Sequence, residues 1–332
     1  MKKIVFNKKA AAIIAAAALL VTGCGQSAST GGGDSKEAAE PEAVETQDVE
    51  ASEETSEADA QDTQDAGEDA EAESAEEKQG IKSEDGQPII VKIGTTSDEN
   101  RIWDALNEEL AERGDDIKVE WVNVQQTNQV LADGEVDLNS FQHYAYFDAN
   151  TADLGLDLTA IGETLIVPLN LFSEKHASLD EIPEGGSIAI PEDATNQGRA
   201  LHVLENAGLI KLAEGVGVNG TVSDIAENPK NIKIVEMEGP ELPRTLADVD
   251  AAIINCGYAT DYGLDPVNDP IYKDEIDFTD PAQHPFINII AARTEDKDNE
   301  VYLEVVDAYR TERVAKAILE VYNNAAIPAF EY

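Results

Sequence analysis

L-T-A-I-G-E-T-L-I-V-P-L-N-L-F, residues Leu158 to Phe172, decides how this chain folds. Strands of globular sheets rarely exceed about 10 residues, so a mostly apolar run of this length reads as chain that leaves one sheet and enters another. The same alternation of strand and helix stands on both sides of it. On the N-terminal side I-I-V-K-I-G-T-T (Ile89 to Thr96) reads as a strand. A helix follows, with Ile102, Trp103, Leu106 and Leu110 at helical spacing. I-K-V-E-W-V-N-V (Ile117 to Val124) alternates as a strand, and V-D-L-N-S-F follows the turn at Asp133 and Gly134. On the C-terminal side the pattern restarts with S-I-A-I at Ser187, a helix from Thr195 to about Ala207, the strand I-K-I-V-E-M at Ile232, a helix around L-P-R-T-L-A-D-V, and the strand A-A-I-I-N at Ala251. A second apolar run, I-N-I-I-A-A (Ile287 to Ala292), returns the chain. Two C-terminal helices, with Val301, Leu303, Val305 and Val306, then Val314, Ala317, Ile318 and Val321 on their apolar faces, complete the first lobe. Alternating strands and helices build parallel sheets, so the expected fold class is α/β, in two lobes joined by two crossings around a cleft.

The N-terminus reads as an export signal. Lysines in M-K-K-I-V-F-N-K-K precede a short apolar run from Ala10 to Val21 and the sequence T-G-C. That run is too short for a comfortable bilayer span and has the plan of a secretory signal cleaved before Cys24. V-T-G-C resembles a lipobox, which implies acyl chains on Cys24 and a membrane anchor. The other cysteine is Cys256, so the mature chain has no intramolecular disulfide. From Asp34 to Gly80 the chain holds 19 acidic residues against two lysines and almost no large apolar side chain, so it reads as an extended, disordered tether. A flexible coil of roughly 60 residues spans about 40–45 Å, and like charges lengthen it. The expected organisation is therefore a signal peptide at 1–23, a tether at 24–87, lobe 1 at 88–170 and 288–332, and lobe 2 at 171–287.

The formal net charge is −45, and the excess of acid persists beyond the tether. That balance excludes nucleic acid as a partner, because binding it requires clustered Lys and Arg. No G-x-S-x-G motif or reactive-Cys context is present. The four histidines, His143, His176, His202 and His284, show no H-x-x-x-H spacing. No catalytic residue, metal site or cofactor is expected.

Two stretches carry binding chemistry. In I-P-E-D-A-T-N-Q-G-R-A-L (Ile190 to Leu201) a strand ends and a helix starts, with Thr195 or Asn196 able to cap it and Gly198 able to admit a close approach. Backbone N–H groups at a helix start attract anions, and Arg199, one turn beyond Asn196, offers a fork matched to a carboxylate. The same residues also make an ordinary capped helix with a solvated arginine. F-Q-H-Y-A-Y-F (Phe141 to Phe147) surrounds His143 with rings, which suits either a pocket wall or a packed histidine.

From Ile89 onward the chain resembles the methionine-binding lipoproteins of bacterial ABC importers, the NlpA/MetQ family. The resemblance rests on L-A-D-G-E-V-D-L-N-S-F-Q-H-Y-A-Y (Leu131 to Tyr146), S-I-A-I-P-E-D-A-T-N-Q-G-R-A-L (Ser187 to Leu201), I-A-E-N-P-K-N-I-K-I-V-E-M-E-G-P-E-L-P-R (Ile225 to Arg244) and A-A-I-I-N at Ala251. It implies a type II periplasmic-binding-protein fold. It further implies an aromatic wall of Phe141, His143 and Tyr146, with Asn196 and Arg199 on the ligand's backbone groups. Asn255, Cys256, Gly257 and Tyr258 fall on the family's I-N-T-N-Y stretch. The chain departs from the family at Asp98 to Arg101, where the family has a proline and a histidine. It departs again at Val124, where a tyrosine is common, and at Gly257, where a ligand-facing asparagine stands.

The expected function is capture of methionine, a related amino acid or a short peptide carrying one, without catalysis. Partners implied are an ABC permease with its ATPase, and the membrane through the lipid on an exported, outward-facing chain. A surface adhesin would account for the tether and the acidic surface but has no use for Arg199 at a cleft. Replacing Cys24→Ser is expected to abolish incorporation of labelled palmitate and to release the protein from the membrane fraction, which fractionation and autoradiography would show.

Overall fold

The structure, a computed structural model, describes residues 80–332; the signal segment, Cys24 and the acidic segment up to residue 79 lie outside them. Gly80 to Ser83, within the stretch read as tether, lie against the turn after the first helix. Ile81 N–H donates to Asp115 Oδ1 at 2.6 Å, and Ile81 C=O accepts from Asp116 N–H at 2.7 Å.

The chain then enters β1 (Ile89–Thr95), α1 (Arg101–Arg113) and β2 (Ile117–Asn123). Helix α1 buries Ile102, Trp103, Leu106 and Leu110, the helical spacing seen in the sequence, and stops at Gly114, whose φ of 81° suits glycine. Next come α2 (Thr127–Ala132), β3 (Leu138–Asn139), α3 (Tyr144–Leu154) and β4 (Leu158–Glu163). The decisive run continues as β5 (Leu165–Ile166) and β6 (Leu169–Phe172), three short strands in place of one long one.

Strand β6 belongs to a second sheet. There follow β7 (Ser187–Pro191), α4 (Ala194–Asn206), the short antiparallel pair β8 (Lys211–Leu212) and β9 (Ile225–Glu227), β10 (Lys233–Met237), β11 (Ala251–Asn255), α5 (Cys256–Tyr262) and β12 (Pro270–Tyr272). The helix expected around L-P-R-T is a 3-10 segment, Gly239–Thr245, because Pro240 and Pro243 interrupt α-helical hydrogen bonding. The chain returns as β13 (Ile289–Arg293) and ends in α6 (Glu300–Tyr309), α7 (Glu312–Val321) and β14 (Ile327–Pro328), which pairs with β5.

The two sheets share one plan. The first has the order β2-β1-β3-β13-β4, the second β10-β7-β11-β6-β12. Three parallel strands are followed in each by an antiparallel strand that the chain lays down on crossing over, β6 outward and β13 on return. The fold is thus two-lobed α/β, and each lobe has its own core. Val91, Ile93, Leu106, Leu110, Val305 and Ile318 fill the first, and Leu169, Ile188, Ile190, Leu201, Leu204 and Ile253 the second. Leu303, expected on the apolar face of α6, is instead exposed. At about 100° per residue it stands roughly 200° from Val305, on the outer side.

Two local readings are corrected at α4. Its N-cap is Asp193, whose carboxylate accepts from Asn196 N–H at 3.0 Å, so Thr195 and Asn196 stand inside the first turn. Gly198 does admit a close approach, but by protein: a Cβ there would lie 2.0 Å from the Val218 carbonyl oxygen. Backbone cannot retreat as a side-chain tip can. Gly198→Ala is expected to cost about 1–3 kcal/mol, seen as a melting temperature lower by roughly 2–10 °C.

Candidate ligand-binding site

Parallel strands place binding groups where their carboxyl ends meet the following loops. Here both sheets direct those ends toward one cavity of about 710 Å³, well inside the range of roughly 300–1,000 Å³ of small-molecule sites. Thr95, at the end of β1, lines it from the first sheet, as do Phe141, His143 and Tyr146 beyond β3. From the second sheet come Asn196 and Arg199 on α4, Asn255 at the end of β11, and Gly257 and Tyr258 on α5. All eight residues singled out in the sequence as ligand-binding therefore line the same cavity.

A hydrogen-bond chain spans the cleft at its centre. His143 is the N-cap of α3, and its Nδ1 accepts from Tyr146 N–H at 3.1 Å. That bond places the ring proton on Nε2, which donates to Asn196 Oδ1 at 3.2 Å. Asn196 Oδ1 also accepts from Asn255 Nδ2 at 2.9 Å, while Asn196 Nδ2 donates to both oxygens of Asp193 at 3.1 Å. Each amide orientation is fixed by its neighbours. Asn255 Oδ1 is left as an acceptor with no hydrogen bond from any described residue. Burial, with the Arg199 charge beside it, pushes the His143 pKa down to about 4, so the ring is neutral at pH 7.

Arg199 is buried, 7% exposed, and anchored at one nitrogen. Its Nη2 donates to Val167 C=O at 2.8 Å and to Asp274 at 2.7 Å, and its guanidinium lies 4.7 Å from the Phe286 ring centre. Val167 stands in the outward crossing, Asp274 and Phe286 in the return, so this side chain ties α4 to both crossings. Among the described residues Nε and Nη1 find no hydrogen-bond partner. Cδ lies between those two nitrogens, so each remains as a separate charge-assisted donor suited to a carboxylate oxygen.

The α4 N-terminus is not free for an anion, because Asp193 occupies it. Among the described residues Arg199 is the one Lys or Arg that lines the cavity.

The aromatic wall is built edge to face. Phe141 and Tyr146 have ring centres 6.0 Å apart at 78°, and His143 meets Phe286 at 5.6 Å and 89°. Of the departures at Asp98 to Arg101, Glu99 lines the cavity and the other three do not; Thr96 and Ser97 just before them line it too, and Ser97 Oγ donates across the cleft to Asp261 at 2.8 Å. Gly257 lines it too, and a Cβ added there would meet no atom within 4 Å. Val124 does not line it; its side chain packs beside Gly94 instead. Cys256 is buried, and burial raises its thiol to about 12, so it is a neutral packing group.

The remaining histidines stand outside the cavity. His176 pairs with Asp250 at 3.0 Å, His202 contacts Gly217 C=O at 3.1 Å, and His284 stacks on Tyr144 and pairs with Glu163. Among the described residues no group of three or more His, Cys, Asp or Glu is placed to hold a metal ion. No local pattern marks Asp274 or Phe286 for these roles, whereas the D-A-T-N run holds three residues able to cap the helix, of which Asp193 is the one that does.

A family model described as NlpA lipoprotein matches residues 91–330. The D-methionine-binding lipoprotein MetQ of Escherichia coli (strain K12) is 43% identical over 202 residues, covering 60% of this chain and 72% of that protein. A nutrient binding protein from Burkholderia cenocepacia, solved bound to methionine, is 36% identical with a TM-score of 0.66, covering 72% of this chain and 100% of that one. The substrate binding protein of a methionine transporter from Streptococcus pneumoniae is also 36% identical at a TM-score of 0.66, over 72% of this chain and 95% of its own.

Because His143 titrates near pH 4 when folded and near about 6.5 when unfolded, the unfolded chain takes up the proton first as pH falls. Its contribution to stability is complete above the unfolded value and is lost from there down through pH 4. Melting temperatures measured from pH 7 to pH 4 should fall for the native chain, and His143→Asn, which keeps a capping oxygen, should flatten that slope.

Proposed function

The chain belongs to the NlpA lipoprotein family, and from that premise we propose that the cavity captures a zwitterionic amino acid, methionine before others. The protein is a substrate-binding lipoprotein of an ABC importer and not an enzyme. The observation that carries the ligand reading is the buried Arg199, with two donor nitrogens unspent in a cavity whose opposite wall is aromatic. A carboxylate on Nε or Nη1 gains a charge-assisted hydrogen bond to a buried, fully charged group. The ligand's ammonium finds Asn255 Oδ1 and the Asp193 carboxylate beside it, and an apolar, sulfur-bearing side chain lies against Phe141, His143 and Tyr146. Sulfur against ring edges is favourable by about 0.3–1.5 kcal/mol.

Capture works by closure. His143 and Asn196 stand on opposite lobes, as do Ser97 and Asp261, so their hydrogen bonds form when the cleft shuts. A ligand that bridges Arg199 and the aromatic wall favours the shut state by its differential affinity for it. We assign residues 88–170 and 288–332 to one moving lobe and 171–287 to the other, with the two crossings as the hinge. The lipobox supports an anchor at Cys24 and the acidic composition supports a tether that ends before Gly80, where the chain joins the first lobe, and the closed cleft then presents itself to a membrane permease driven by an ATPase.

The open space beside Gly257 favours a larger ligand as the second reading, an amino acid of greater bulk or a short peptide carrying methionine. Thermal shift on protein unfolded and refolded to strip any carried ligand separates the two. L-methionine at about 100 times Kd should add roughly 2.7 kcal/mol of stability. Arg199→Lys keeps the charge and loses the planar set of donors that can hold Val167, Asp274 and a ligand oxygen at once, so methionine affinity should drop about 10- to 100-fold, while Arg199→Ala should in addition melt earlier without ligand, having released both crossings. Shifts with bulkier ligands and none with methionine would turn the assignment to the second reading.

A further inference from the structure

Beside the aromatic wall lies a group of amide side chains bonded to one another, of which Asn128, Gln142 and Asn150 also line the cavity. Asn128 comes from α2, Asn139 from β3, Gln142 from the loop between the two wall residues Phe141 and His143, and Asn150 from α3. The first three are at most 3% exposed. Asn128 is the hub. Its Nδ2 donates to Gln142 Oε1 and to Asn150 Oδ1, each at 2.8 Å, and its Oδ1 accepts from Asn139 Nδ2 at 2.8 Å and from Gln142 Nε2 at 2.6 Å. Two donor hydrogens and two acceptor positions are all an amide has, so the hub is saturated. A further bond from Gln142 Nε2 to Asn139 Oδ1 at 3.2 Å closes the ring.

Four consecutive elements thus meet at one amide, and the side chain they hold is that of Gln142. On its backbone side the same residue is fixed by Ile289 N–H, which donates to Gln142 C=O at 3.0 Å, and the next residue pairs with Asn288 across a bridge. Gripped at side chain and backbone, Gln142 has no freedom to rotate. Phe141 and His143, one residue to either side, are set with it. A buried polar network whose members are all satisfied specifies one arrangement, because every alternative strands a donor or an acceptor.

We infer that Asn128 is a positioning residue for ligand discrimination: by saturating Gln142 it fixes where Phe141 and His143 stand, and so sets how well the pocket tells a long apolar side chain from a short one. The inference deepens the amino-acid reading and rests on it. The ligand's backbone groups, held by Arg199 and Asn255 from the other lobe, do not depend on this cluster.

Asn128→Asp in the full-length protein is the test, being the same shape with the two donations removed. Calorimetry with L-methionine and L-alanine at pH 8 should show methionine binding weakened about tenfold or more and alanine binding changed less than about threefold, since one lost hydrogen bond is worth about a factor of ten. At pH 5 the introduced carboxyl, buried among neutral amides, takes up a proton and can donate again. The preference for methionine should then return in part, which a merely destabilised protein would not show. Asn150→Ala, at the half-buried edge of the cluster, is the milder variant should the first not fold, with an expected loss of discrimination of a few fold.

The proton on His143 Nε2, followed by NMR, reads the same positioning without ligand. A single protected resonance in the native protein should broaden or double in either variant. If native protein binds neither amino acid, the ligand reading fails, and the resonance still decides the positioning role. Equal losses for both ligands, or unchanged selectivity with an unchanged Nε2 resonance, would overturn it.

Discussion

A buried guanidinium holding two chain crossings together is the constraint on which the rest of this molecule depends. Arg199 sits on the helix of one lobe, yet its Nη2 reaches Val167 on the outward passage and Asp274 on the return. Asp274 in turn accepts from Leu169 N–H at 3.0 Å, at the start of the strand that enters the second sheet. Breaking such a pair would leave a charge uncompensated in a low-dielectric setting, which costs about 3–5 kcal/mol. The hinge is therefore tied at its root by the same side chain whose other nitrogens face the cavity. On the proposed reading, ligand and hinge are coupled through this one residue, with no intermediate pathway required.

Around that anchor the charges and dipoles are arranged to leave one vacancy for each end of a zwitterion. Asp193 is occupied at the start of α4, His143 is held neutral by burial, and Asn196 has both ends of its amide engaged. What remains unspent on the polar side is the separate Nε and Nη1 donors of Arg199 and an acceptor on Asn255. Polar groups of a site left unpaired by a poor ligand penalise it by about 1–3 kcal/mol each, so selectivity for the α-amino acid part follows from what the protein does not satisfy itself. On the proposed reading, selectivity for the side chain rests on geometry, with rings set edge to face and their loop clamped by the amide cluster.

Much of this was legible in the sequence. The length of Leu158 to Phe172 gave the first crossing, because no ordinary strand is that long, and the helical spacing of Ile102, Trp103, Leu106 and Leu110 gave α1 with its buried face. The site residues were found through motifs such as F-Q-H-x-x-Y and T-N-x-G-R, short stretches that stay together in the fold. What escaped depends on long-range contact. Arg199 and Asp274 are 75 positions apart, and nothing local marks an aspartate in a loop as an arginine's partner. The amide cluster is scattered from Asn128 to Asn150 and has no periodicity. Capping by Asp193 in place of Thr195, the backbone behind Gly198 and the outward turn of Leu303 were decided by tertiary packing, which overrides local preference. Val124 was expected at the pocket on family grounds and packs beside Gly94.

The most direct test of cleft capture is a crystal structure of protein refolded free of carried ligand and then soaked with L-methionine. Capture as described requires the carboxylate within hydrogen-bonding distance of Arg199 Nε or Nη1, the ammonium near Asn255 Oδ1, and the thioether against Phe141 and Tyr146. Methionine bound elsewhere, or reversed so that its carboxylate lies against the aromatic wall with Arg199 unengaged, would contradict it.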